Sequence, residues 1–289
     1  MIKRILRPAA VLLVFLLLPH PPCSAQGESE TPTVPLWEIG LFNGAARVPH
    51  YRGSDEYDWY VLPLPYLIYR GEIIRADREG LRGIFYKGDH FETDISLSGN
   101  PPVDDDNEAR EGMDELDAVF EVGPSLKWFP FGRDPMELFY ADLVVRAVSS
   151  LGFDSGIDLA YQGIHGDLSL VYRNRRLFKN QGVVFRLKIG VDYGDSDFNG
   201  YFYDVPQRDV RPDRPAYDAS GGYAGCSASM SLQKRLNDRF SIGFYSRWQN
   251  VTGATFEDSP LVRDENNFTV GAALIWKIFA SEKQVSMRE

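Results

Sequence analysis

His165, Asp167 and Ser169 are the residues of this chain whose types and spacing come nearest to a catalytic set. Serine, histidine and aspartate can form a hydrolytic triad, as in a barrel lipase, when the histidine hydrogen-bonds to the serine hydroxyl. On one strand face, however, residues two apart lie roughly 7 Å from each other, too far for that hydrogen bond. We therefore predict a structural role for them, no catalytic residues and no cofactor. A lipid-modifying barrel enzyme stays an alternative.

An acidic segment offers the second kind of chemistry, the binding of a divalent cation. It has the sequence DDDNE and begins at Asp104, within a long polar stretch. Its oxygens suit Ca²⁺, but the segment lacks the glycine that an EF-hand loop needs at its sixth position for the sharp turn. The first interpretation is a solvated surface loop. Asp104, Asp105 and Asp106 are weak candidates for a metal site that bridges to anionic lipid.

The elements that must position these residues are strands, because apolar residues recur with period two. In 183–193, Val183, Phe185 and Leu187 would lie on one face, with Arg186 and Lys188 on the other. The same alternation and the turn residues between segments predict about twelve strands. They are 37–47, 59–69, 72–77, 80–87, 90–99, 117–128, 136–148, 164–177, 183–194, 222–235, 239–250 and 267–279.

The connections between these strands are short and long in a pattern typical of an outer-membrane barrel. The long polar ones are 48–58, 100–116, 195–221 and 251–266. Lipid offers no hydrogen bonds, so a spanning sheet must close on itself, with an apolar outer face and a polar inner face. The prediction is all-β: a transmembrane antiparallel up-and-down β-barrel with long extracellular loops and short periplasmic turns. A secreted β-sandwich would expose too much apolar surface to water.

Charged residues on the second face of the strands would point into the lumen of such a barrel. They would form a salt-bridged network that fills the lumen, or they would line a conduction path. About twelve strands lies between small filled barrels and wide porins, and bulky charged side chains favour a narrow or plugged lumen. The predicted lumen-facing charges are Glu92, Asp94, Glu121, Asp142, Arg146, Arg173, Arg186, Lys188, Asp192, Arg247 and Lys277.

The N-terminal segment 1–25 has the features of a secretory signal peptide. Lys3, Arg4 and Arg7 precede the apolar run VLLVFLLL, which is too short to span a bilayer. Removing 1–25 takes away three basic and no acidic residues, so the net charge of −10 becomes −13. This acidity argues against a nucleic-acid partner. We predict a linker at 26–36, the barrel at 37–279 and a tail at 280–289.

Five ordered segments resemble the MipA/OmpV family of outer-membrane proteins. They are 49–69 (PHYRGSDEYDWYVLPLPYLIY), 76–86 (ADREGLRGIFY), 201–206 (YFYDVP), 216–222 (AYDASGG) and 258–262 (DSPLV). Each segment alone is weak, whereas the ordered set spans nearly all of the expected barrel. The resemblance implies a barrel in the outer membrane of a Gram-negative cell.

The resemblance also implies a non-enzymatic function and specific partners. One family member is described as a scaffold that joins a murein synthase to a lytic transglycosylase, while others are described as porin-like or adhesive. We therefore expect a scaffold for these enzymes embedded in outer-membrane lipid, with a narrow porin-like channel as the alternative. Family members tend to finish on an aromatic residue that serves as the insertion signal. Phe279 is that residue here, although ten residues follow it.

Overall fold

The computed structural model describes residues 33–70, 74–77, 80–100, 102–103, 107–134, 136–152, 158–175, 177 and 182–286. Within this part of the chain, β1 (Thr33–Pro35) pairs with β14 (Gln284–Ser286), and twelve strands form a second sheet. These are β2 (Trp37–Pro49), β3 (Tyr57–Arg70), β4 (Ile74–Asp77), β5 (Gly80–Lys87), β6 (Phe91–Asn100), β7 (Ala118–Trp128), β8 (Glu137–Gly152), β9 (Asp158–Asn174), β10 (Val183–Gly194), β11 (Gly222–Arg235), β12 (Phe240–Asn250) and β13 (Asn266–Ala280).

The sheet of twelve strands closes into an antiparallel up-and-down barrel. Each strand pairs with its neighbours in sequence, and β13 returns to pair with β2 along a ladder from Val270↔Arg47 to Ala280↔Glu38. Closure removes the sheet edges, whose backbone groups would otherwise lack partners in lipid. The predicted fold class is therefore confirmed.

Exposure alternates along the strands as the sequence pattern predicts. In β7, Glu121 and Lys127 are buried, whereas Phe120, Leu126 and Trp128 are exposed. In a closed single sheet the buried face can only be the inside, so the exposed apolar face is the outside. Lipid is the solvent in which such a face is stable.

The two ends of the barrel differ in the length of their connections. The described residues of the three longest connections, 101–117, 195–221 and 251–265, lie at one end together with the loop 50–56, and this is the outer end. The connections 88–90 and 236–239 lie at the opposite, periplasmic end, as do the described residues of 129–136. Among the described residues, no helix is long and apolar enough to cross a membrane.

Two local structures were not predicted. The helix α1 (Ser196–Tyr203) lies in a segment predicted as a polar loop. The ribbon β1–β14 joins part of the predicted linker to part of the predicted tail, with Val34 opposite Val285.

Phe279 lies next to a bulge in β13, pairs with Ile39 and is exposed on the outside of the barrel. The predicted signal peptide, 1–25, lies outside the described residues and stays a prediction.

A glycine at the β7–β8 contact tests the barrel register. A β-carbon at Gly123 would collide with the carbonyl oxygen of Val145, and overpacking of this kind costs about 1–3 kcal/mol. We expect Gly123→Ala to lower the temperature at which the folded band disappears in gels of unboiled protein. Gly243→Ala is the control, because its β-carbon would come no closer than 3.9 Å to the nearest atom, the carbonyl oxygen of Leu232. Equal effects of the two substitutions would contradict this register.

Candidate functional site

The outer end of the barrel is closed by its own loops. We define the cap as the described residues of 50–56, 101–117, 195–221 and 251–265. All four loops contribute to one apolar core, which also contacts strand residues at the barrel mouth. Its buried members are Tyr51, Val103, Ala109, Leu116, Val119, Val148, Phe202, Tyr203, Val205, Ala219, Ala224, Val251, Ala254, Phe256 and Leu261.

The helix α1 is fixed to the barrel wall by one carboxylate. Asp195 accepts hydrogen bonds from Phe198 N and from Ile164 N, both at 2.9 Å, so it caps α1 and ties the helix to β9. Gly163 beside it has a φ of 102°, and a β-carbon there would collide with the Asp195 side chain. The glycine is needed at this bulge because L side chains rarely adopt that conformation.

Aromatic rings from three loops make the centre of the cap. The Tyr203 ring stacks on Phe256 with centroids 3.7 Å apart, and it meets the Tyr51 ring edge to face. The hydroxyl of Tyr51 donates to the carbonyl of Leu261, and that of Tyr203 donates to the carbonyl of Arg52. Burial raises the pKa of both phenols, so they stay neutral donors well above their ordinary range.

Two buried arginines tie the loops together through backbone carbonyls. Arg214 donates to the carbonyls of Ala109, Glu111 and Asp209. Arg110 donates to the carbonyls of Phe202 and Asp114, and burial lowers the pKa of its guanidinium. Loss of either side chain would leave carbonyls unsatisfied inside the cap, which is costly in free energy.

A chain of ion pairs lies directly beneath the cap. His165 Nδ1 is 2.9 Å from Glu121 Oε2, and its Nε2 is 3.3 Å from Asp192 Oδ1. The second oxygen of Asp192 is 3.2 Å from Arg52 Nη1, and Arg52 belongs to the cap. The ring of Phe198 from α1 stacks on His165 with centroids 4.8 Å apart. The interior of the barrel and the cap are therefore one connected structure.

The other inward charges are mostly engaged with each other. Lys127 Nζ is 2.6 Å from Asp94 Oδ2 and 3.7 Å from Glu92 Oε1. Lys188 Nζ is 2.8 Å from Asp167 Oδ1. Such pairing offsets the cost of taking charges out of water.

The remaining predicted charges also lie on the inner face. Arg146 is 3.5 Å from Glu121 and Asp142 accepts a hydrogen bond from Ser125. Arg173 and Arg186 lie directly opposite each other on β9 and β10, and Arg186 donates to the hydroxyl of Tyr140. Arg247 and Lys277 share their faces with the buried Gln249 and Asn267, respectively.

The Ser-His-Asp set is not assembled as a triad. Ser169 Oγ donates to Asp167 Oδ1 at 3.1 Å, while both ring nitrogens of His165 face other carboxylates. Neither ring nitrogen is directed at the serine hydroxyl, so His165 is not placed to accept the serine proton. The metal candidates Asp104, Asp105 and Asp106 lie outside the described residues, so the cation hypothesis stays a prediction.

Sequence reasoning missed the residues that build the cap. Arg52, Phe198, Arg214, Phe256 and Leu261 all fall in segments interpreted as long polar loops. The only signal was the density of large apolar residues within those loops, as in the segment YFYDVP at 201–206.

The aromatic centre of the cap can be tested by truncation of one ring. Phe256→Ala removes a fully packed ring, which costs about 3–5 kcal/mol. We expect faster trypsin cleavage after Arg110, whose side chain is buried in the folded cap, while the barrel keeps its compact migration in unboiled gels. Phe131→Ala is the control, because that ring is 85% exposed at the other end. Unchanged protection of Arg110 would show that the cap does not depend on this ring.

Comparisons with known proteins agree with this architecture. Outer membrane protein Omp26La of Vibrio anguillarum is 24% identical over 212 residues, which cover 72% of this chain and 75% of that protein. Outer membrane protein OmpV of Vibrio cholerae is equally similar, at 24% identity over the same shares of each chain. The names of both relatives and the barrel itself confirm the predicted localisation in the outer membrane.

Solved structures show a weaker likeness. A bacterial polysaccharide outer membrane secretin superimposes with a TM-score of 0.35 at 10% identity, over 84% of this chain and 99% of that one. A TM-score this low carries no argument about function. The family described as "MltA-interacting protein MipA" matches residues 39–278, which is nearly the whole barrel. The chain therefore belongs to the MipA family, as its five ordered segments predict.

Proposed function

We propose that this chain is a non-conducting outer-membrane barrel that holds cell-wall enzymes, a lytic transglycosylase and a murein synthase, at the membrane. The cap is the observation that carries the proposal. Phe256 is 1% exposed and Leu261 is 0% exposed, so the outer mouth is packed like a protein core. A solute that passed through the barrel axis would have to displace this core together with the ion pairs beneath it.

The family description supports the identity of one partner. It names an interaction with MltA, a lytic transglycosylase, and an enzyme that cleaves murein works on the periplasmic side. The partner would therefore meet the periplasmic turns, the opposite end from the cap. The murein synthase enters the proposal through the family resemblance of the sequence alone.

Among the described periplasmic connections, the turn 129–134 suits such a contact. It presents the exposed ring of Phe131, and Arg133 holds the turn in place. The Arg133 guanidinium lies 4.0 Å from the Phe129 ring centroid, 2.9 Å from Glu92 Oε2 and 2.9 Å from the Gly88 carbonyl. A turn that is already ordered loses little entropy on binding, and exposed aromatic rings are frequent anchors of interfaces.

A narrow channel is the second candidate, because the inside of the barrel is not uniformly packed. Leu64 is 47% exposed and Tyr245 is 39% exposed, although both lie on the inner faces of their strands. Water-accessible space therefore remains beneath the cap on the side of β3 and β12. Transport through it would require the cap to move.

Conductance in planar bilayers separates the two candidates. We expect the wild-type chain to give no stable steps, because the cap blocks the axis. The Phe256→Ala variant, with its loosened cap, is the comparison, and steps in this variant alone would identify the cap as the barrier. Discrete steps of uniform size in the wild type would favour the channel instead.

Binding of a purified lytic transglycosylase tests the docking end. We expect Phe131→Ala to weaken binding by about 2 kcal/mol, roughly thirtyfold, if this ring anchors the interface. Asp114→Asn is the matched control, because Asp114 is exposed on the cap at the other end. The measurement is the dissociation constant by biolayer interferometry with the barrel in nanodiscs. Failure of the wild type to bind this enzyme, and to recover a murein synthase from envelope extract, would refute the docking proposal.

A further inference from the structure

On β2, β3 and β6–β13, one charged residue interrupts the apolar outer surface near the outer end of the barrel. Arg47 is exposed on β2, and its cross-strand neighbours Trp59 and Val270 are exposed on the lipid-facing side. On β2, β3 and β6–β13, the other outward-facing charges are Glu137 and Lys234, and both lie at the periplasmic ends of their strands. Arg47 is therefore the outward charge at the outer end of these ten strands.

The position of Arg47 corresponds to the level of lipid headgroups. It lies two residues before the end of β2 at Pro49, which is roughly 7 Å of strand. Trp59, Trp248 and Phe268 lie on the same stretch of wall and form an aromatic girdle, the usual mark of the membrane interface. A charge at this depth costs little in free energy, whereas the same charge at the bilayer centre would be expensive.

The Arg47 side chain is held in place by an aromatic ring rather than by a carboxylate. Its Cζ atom is 3.9 Å from the Tyr57 ring centroid. Tyr57 is itself fixed, because its hydroxyl accepts a hydrogen bond from Phe268 N where the β13–β2 ladder ends. Stacking occupies one face of the guanidinium and leaves the N–H groups at its edge available.

Two acidic side chains at this rim have other partners. Asp58 pairs with His50, and Glu265 accepts a hydrogen bond from Thr252. Within the described residues, Arg47 forms no ion pair. A fixed, exposed guanidinium at headgroup depth thus has its charge uncompensated by the protein.

We propose that Arg47 and Tyr57 form a binding site for the phosphate of an outer-leaflet lipid. Two guanidinium N–H groups would donate to two phosphate oxygens, and the acyl chains would pack on Trp59 and Phe268. Charge complementarity and continuity with the lipid-facing surface select a lipid as the occupant. The site is independent of the proposed docking function, since it lies on the outer wall and at the opposite end from the periplasmic turns.

Native mass spectrometry of the full chain with added lipid A, a phosphorylated glycolipid, tests the site. We expect Arg47→Gln to bind lipid A about tenfold more weakly than the wild type, and Arg47→Lys, which keeps the charge but not the planar fork, to lie between them. Lys234→Gln is the control, because it removes an outward charge at the periplasmic end. Compact migration in unboiled gels confirms that each variant is folded.

Two further binding measurements determine which chemical group the site recognises. Dephosphorylated lipid A should bind the wild type and Arg47→Gln equally, because the phosphate is the group that Arg47 contacts. Inorganic phosphate at the same concentration should not displace lipid A, since it lacks the acyl chains that pack on the aromatic girdle. Equal affinity of the wild type and Arg47→Gln for lipid A would overturn the proposal. Displacement by inorganic phosphate would overturn the assignment to a lipid.

Discussion

Every backbone N–H and C=O group of a membrane-spanning sheet must find its partner within the protein, because the lipid interior supplies none. In this chain that constraint is met by pairing β13 with β2, two strands at opposite ends of the sequence. Closure then creates an inner and an outer surface. Period-two alternation follows, since each strand must present an apolar residue to lipid and a different one to the inside.

Closure also creates the problem of the interior, where charged side chains have limited access to water. These charges are compensated by pairs such as Lys127 and Asp94. They are also compensated by a series of contacts from Glu121 through His165 to Asp192, which joins three strands. The last member of that series of contacts is Arg52, which belongs to a loop. Electrostatic compensation inside the barrel therefore requires the loops to fold into its mouth.

The strands were predictable because period two is a local property of the sequence. The bounds predicted for β10 and β11 agree with the structure, and the prediction for β13 lacks one residue at each end. The ion pairs were not predictable, since they depend on register. Alternation places His165, Asp167 and Ser169 on one face. Only the pairing of β9 with β8 and β10, and of β8 with β7, brings Glu121 and Asp192 to His165. The cap was missed because Phe256 and Leu261 lie in segments without periodicity.

The lipid-facing wall and the cap limit the surfaces on which this barrel can act. The outer wall faces lipid, ion pairs occupy part of the interior, and the cap covers the outer mouth. At the periplasmic end, Arg133 orders a turn through Phe129, Glu92 and the Gly88 carbonyl. The proposed function uses this turn, because binding benefits from a surface that is already ordered, whereas conduction needs a continuous path. The proposed lipid site lies at the opposite end, where Tyr57 holds the guanidinium of Arg47, so the two proposals use separate ends of the barrel.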